Sequence, residues 1–189
     1  MAPIARRGTR RLRAPSRWCR RTAAAGLVLG GVSIAVFAPA ERDLEASVAG
    51  RAIHLVTGQQ VIAVPGRHLL ILYQSTSIQS IFALTSECSV AYLLAALLVG
   101  AAPLMLMRQL SAWRTAFAIA AGAAVLVMVN VTRLTAIGAT VSGVGRDPGL
   151  TIAHTYLGSV LTVVGTCAAG LLFAAILLGR RRRPQRTAS

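Results

Sequence analysis

The sequence contains no lysine. All twenty of its basic residues are arginine, and only five acids stand against them: Glu41, Asp43, Glu45, Glu87 and Asp147. We read the arginine-only set as the mark of a GC-rich coding sequence rather than of a function. Charged residues of both signs make up 13% of the chain, where soluble domains carry roughly 25%. With 55% hydrophobic residues and a mean hydropathy of +0.65, that scarcity excludes an ordinary soluble domain and places the chain in the membrane class. Aromatic residues are also scarce, at 5%. A net charge of +15 invites a nucleic-acid reading. The arginines, however, flank apolar runs, so topology accounts for them and nucleic acid is not expected as a partner. The three cysteines, Cys19, Cys88 and Cys167, form no C-x-x-C, so a thioredoxin-like or quinone-linked disulfide enzyme lacks its signature. No tight His/Cys spacing is present to hold zinc, so neither a metal nor a cofactor is expected. No internal repeat is visible.

What the chain does have is a set of apolar runs bounded by arginines. Residues 1–21 read as a basic cytoplasmic arm and 179–189 as a basic cytoplasmic tail. Between them, 22–178 reads as a single membrane-embedded domain with spans at about 22–40, 88–107, 115–136 and 152–178. The "APA" at 38–40 also fits a small-residue cleavage site, but the length of the run favours a retained anchor. In 41–87, "VIAVPGRHLLILYQ" predicts a small hairpin around Pro65-Gly66, with "STSIQSIFALTSE" lying along the membrane surface. The breakers in "TVSGVGRDPG" predict an outer loop. The expected fold class is therefore all-α: a bundle of four transmembrane helices, with a β-hairpin segment outside the membrane between helices 1 and 2. Segments 1–21, 108–114 and 179–189 hold eight, two and five arginines, fifteen of the twenty, and no acid. The positive-inside rule then puts both termini in the cytoplasm and 41–87 and 137–151 outside.

Three chemically able residues fall at one depth. A helix rises ~1.5 Å per residue and must cross ~30 Å of hydrocarbon. Counted from the inner arginines, Cys88 lies about nineteen residues up its span and Arg133 about eighteen. His154 begins the last span, so all three reach the outer interface. Arg133 interrupts "AVLVMVNVTRLTAIGA", and Asn130, three residues earlier, shares its helix face. Each residue has a plain reading: a snorkelling arginine with a packing asparagine, a hydrated interfacial histidine, a cysteine used as a small hydrophobe. Together they supply a nucleophile, a partner for an oxyanion or carboxylate, and a proton carrier. The dipole at the start of a helix, and Arg133 nearby, would favour the Cys88 thiolate, while Glu87 would oppose it. His54 and His68 read as ordinary loop histidines. The small-residue stretches "GAAPL", "AIAAGAA" and "GTCAAG" would admit close helix approach, either within this chain or by a docking helix.

The order "ECSVAYLL", then "NVTRL", then "HTYLG", each at the outer end of a span, resembles the exosortase/archaeosortase family over roughly 55–175. The arginine bias suits a compact bacterial, actinobacterial-type member. The resemblance implies a membrane-embedded cysteine protease or transpeptidase. Its substrates would be exported proteins whose C-terminal sorting signal joins a short motif, a transmembrane helix and a basic tail. It makes Cys88 the nucleophile and Arg133 and His154 its catalytic partners, with Asn130 in support. It implies a thioacyl-enzyme resolved by water or by an amine of the cell envelope. Many members carry a glycine two residues after the cysteine, where this chain has Val90. The rival readings are a non-catalytic membrane scaffold and a protein that binds sorting signals without cutting them.

Overall fold

The structure, a computed structural model, describes residues 17–74, 77–85, 89–108 and 110–179, with the side chains of 74, 77–79, Arg146 and His154 outside the description. It is mostly helical. In chain order it runs α1 (Arg17–Val36), α2 (Ala38–Thr57), β1 (Gln60–Val64), β2 (Leu69–Gln74), β3 (Ser77–Ala83), α3 (Ala91–Met107), α4 (Ala112–Val144), a short α5 (Arg146–Leu150), a π-helical turn (Thr151–Leu157) and α6 (Gly158–Leu178). Three helical stretches are long and apolar enough to cross a membrane: Arg17–Val36, Ala112–Val144 and Asp147–Leu178. The fourth apolar helix, Ala91–Met107, has 17 residues. It starts three residues later than the span expected from Cys88, a position that lies outside the described residues.

The first expected span, 22–40, is divided. Pro39 has no N–H to continue α1 and its ring would clash with the preceding turn, so α1 stops at Val36 and the chain restarts as α2 with the proline in its first turn. Residues 38–40 are thus the opening turn of a new helix, and Ala38 is buried. The polar-looking segment after it is helical to Thr57 and ends on Gly58 in the left-handed conformation (φ 72°), whose N–H caps the His54 carbonyl at 2.8 Å. Charge hides the stripe that buries this helix. Ala46, Ala49 and Ile53 pack with Leu70, Leu72, Leu84 and Leu134, while Glu41, Asp43 and Arg51 break up the run.

The expected hairpin is present, and it gains a third strand. β1 pairs antiparallel with β2 in the register Val64↔Leu69, and β2 pairs antiparallel with β3 in the register Leu70↔Phe82. The segment expected along the membrane surface is largely β3. Asp43 on α2 clamps the hairpin turn: Gly66 donates its N–H to one carboxylate oxygen at 3.0 Å, and His68 Nδ1 lies 2.8 Å from the other. His68 sits at φ 53°, a conformation that Asn, Asp and His tolerate better than most residues.

α4 is the spine of the molecule. Its 33 residues make it ~50 Å long, well beyond the ~30 Å of hydrocarbon. The predicted outer loop is reduced to Gly145, because α4 continues through Gly143 to Val144. Tertiary contact overrides the local breakers there. Gly138 faces Ile53 of α2, and Gly149 of α5 lies against Val141. At the other end, Arg114 donates from Nε to the Ile176 carbonyl at 2.6 Å and from its terminal nitrogen to the Gly179 carbonyl, which caps the C-terminus of α6 with a cation. The small-residue stretches are used within the chain. Gly122 packs on Leu97, Gly165 on Val129, and Ala101 and Ala102 are buried.

Candidate active site

Arg133 and Asn130 both point inward from α4, each only 8% exposed. They line a cavity of about 30 Å³ together with Ser89, Val90, Thr162 and Thr166. That volume suits a single water, and the lining offers the polar partners a buried water needs. Three elements converge on it: the head of α3, the middle of α4 and the first turns of α6. Ser89, the chain neighbour of Cys88, is therefore part of the same small chamber as Arg133.

The chain is shaped locally to admit the arginine. The helix after α5 opens with the π-helical turn Thr151–Leu157, which contains His154, and becomes α-helical at Gly158. A Cβ on Gly158 would meet Arg133 Nε at 2.9 Å and the Ala153 carbonyl at 3.1 Å. The guanidinium side chain thus runs past the one residue type that leaves it room. Single π turns inside helices mark functional sites often enough to be informative. Of the three residues expected to act, Arg133 is placed here with its side chain. His154 is placed by its backbone, one turn before Gly158. Cys88 and Glu87 lie outside the described residues.

Val90, found where a glycine is common in the family the sequence resembles, has φ −77° and ψ −12°. Any L-residue adopts that conformation, so the position does not require glycine here. Val90 is also buried, 3% exposed, and packs with Leu126 and Ala169.

One residue of the site escaped sequence reasoning. Glu45 of α2 reaches across the head of α3. Its Oε1 accepts the Val90 N–H at 2.8 Å and the Asn130 side-chain amide at 3.2 Å. The Ser89 hydroxyl meanwhile accepts the Ala91 N–H at 3.2 Å. The orphan amides at the start of α3 are thereby capped by an anion and a hydroxyl, the two partners a helix N-terminus favours. Burial pushes the Glu45 carboxyl above the usual range and the charge of Glu41 adds to this, against the bonds from Val90 and Asn130. The only sequence signal for Glu45 was its i, i+4 spacing from Glu41, beside a small-residue stripe.

Of the two histidines expected in loops, His54 lies instead in the last turn of α2 and His68 in the hairpin turn. His54 Nδ1 lies 2.7 Å from the Gln59 carbonyl, and His68 is held by Asp43. Cys167 is exposed on α6, away from the cavity lining. Among the described residues, no three His, Cys, Asp or Glu side chains cluster closely enough to share a metal ion. A larger apolar cavity of about 260 Å³ lies between α2, the sheet and α4, bordered by Ile53, Phe82, Leu84, Leu134 and Thr85. No family model matches the chain, and neither a curated protein nor a solved structure matches it.

Proposed function

We propose that this chain is a membrane-embedded cysteine protease or transpeptidase of the exosortase kind. It would cleave C-terminal sorting signals of exported proteins at the outer face of a bacterial plasma membrane. The observation that carries the reading is the burial of Arg133 against Gly158, in a small chamber that Ser89 also lines. A lone snorkelling arginine would extend toward water or headgroups. This one turns inward, toward the head of the helix that follows Cys88.

In this reading the bundle has four spans, with α3 as the short fourth, and both termini are cytoplasmic. The thiolate of Cys88 attacks the substrate carbonyl just outside the signal helix. Arg133 stabilises the oxyanion. His154 protonates the leaving amine and then takes a proton from the acceptor, water or an envelope amine, as it opens the thioester. The substrate helix lies in the bilayer beside the spans, and the apolar cavity bordered by Thr85 offers room for one of its side chains. The mechanism calls on no cofactor.

The test is processing of a co-expressed reporter bearing a motif, a transmembrane helix and a basic tail. Cys88→Ala should abolish processing while the protein still accumulates in the membrane. Retained processing would leave the scaffold or signal-binding reading in its place.

A further inference from the structure

We infer that Glu45 is a positioning residue, whose carboxylate ties the segment carrying Cys88 to the helix carrying Arg133. The inference rests on the catalytic reading above. A single atom, Oε1, receives both bonds. The Val90 N–H comes from the head of α3, two residues after Cys88. The Asn130 amide comes from α4, one turn before Arg133. Glu45 itself stands on α2, which the sheet anchors through Ala46, Ala49 and Ile53. Three elements therefore meet at one oxygen beside the chamber.

The energetics say the carboxylate is kept for what it holds. A part-buried carboxylate costs stability unless its bonds offset the loss of water. The second oxygen, Oε2, is buried and has no hydrogen-bond partner among the described residues. An apolar side chain would pack α2 on α4 at less cost. What it could not do is accept two hydrogen bonds from two other helices, and bonds to a charged acceptor are roughly twice as strong as neutral ones. The charge has a second consequence. Glu45 occupies the same positive helix end that would favour a Cys88 thiolate. It fixes the backbone there, and its sign would oppose a thiolate, as that of Glu41 would.

Holding and charge can be separated in the full-length protein in membranes. In a Cys19→Ser, Cys167→Ala background, Cys88 is the one thiol, and its alkylation by iodoacetamide is followed from pH 5 to pH 10. Glu45→Gln keeps the acceptor and loses the charge. It should leave the limiting rate at high pH within about twofold and move the midpoint to lower pH. Glu45→Ala loses both bonds and should change the limiting rate by about fivefold or more. Combining it with Asn130→Ala should add little, as expected for residues sharing one bond. Profiles for the Gln and Ala variants that superpose on the parent's would sink the positioning role. If the Ala variant does not accumulate, Asn130→Ala, which removes one of the two bonds and keeps the charge, decides by its limiting rate: a parent-like rate would sink the positioning role. Failure of the catalytic reading looks different: the parent itself would titrate as an ordinary exposed thiol.

Discussion

Gly158 leaves open the space that Arg133 fills. A Cβ there would lie 2.9 Å from Nε and 3.7 Å from Cγ of the arginine, with the Ala153 carbonyl 3.1 Å away on the other side. The flexible end of the side chain can yield and the backbone carbonyl cannot, so an added methyl would displace the guanidinium. Gly158→Ala is therefore expected to cost about 1–3 kcal/mol of stability, as overpacking does. It should lower processing of a tailed reporter by about tenfold or more. Thermal unfolding in detergent and the processing assay check the two effects separately. Parent-like processing would show that the position of Arg133 is not critical.

The chemistry at Cys88 is tested by what can stand in for each group. Cys88→Ser should weaken processing by orders of magnitude, because a hydroxyl at its free pKa is a far poorer nucleophile. Arg133→Lys should not restore activity, since a point charge on a flexible stem does not reproduce a planar fork inside a chamber of about 30 Å³. Cys167→Ala, on the exposed face of α6, should process like the parent. A hydrolytically active Cys88→Ser would argue against a thioacyl intermediate, which mass spectrometry of a trapped adduct would test directly.

The proposed orientation rests on fifteen arginines set apart from every acid. Leu55 is 83% exposed on α2, which places a reporter clear of the core. In intact cells carrying Cys88→Ala, Leu55→Cys should react with a membrane-impermeant maleimide, and native Cys19 should react only after the membrane is opened. Labelling of Cys19 in sealed cells would invert the orientation.

The Asp43 clamp predicts an acid-sensitive cap. The Gly66 N–H, then His68, hold the Asp43 carboxyl below its usual range. A carboxyl lowered on folding adds stability that is fully present above its ordinary value, near 3.8, and is lost as pH falls through the lowered value. Amide exchange in β1 and β2 should therefore quicken on acidification below about pH 4, and Asp43→Asn should flatten that dependence. Exchange in α4 should not follow. A hairpin whose exchange ignores pH in that window would show that the clamp adds nothing there.

Much of this molecule is local and so could be read from the sequence. A run of apolar residues near twenty long predicts a spanning helix wherever it lies, and two of the expected spans coincide with the cores of α4 and α6. Pro65-Gly66 between β-prone pieces predicts its hairpin because turn chemistry acts within four residues. Arg133 and Asn130 could be put on one face because helical period is a property of one segment; that this face turns inward rather than letting the arginine snorkel was decided by the packing. Other features depend on partners distant along the chain. α2 hid because its buried stripe is made of alanines between charges, and such a stripe stabilises only against a sheet that lies elsewhere. α4 runs through Gly143 because Ile53 and Gly149 pack on its last turns. Glu45 joins the site because the tertiary fold brings residue 45 to residues 90 and 130, and one carboxylate oxygen satisfies amides from both. Periodicity along the chain determines which face a residue takes; only the packing of helices decides which donors that face meets.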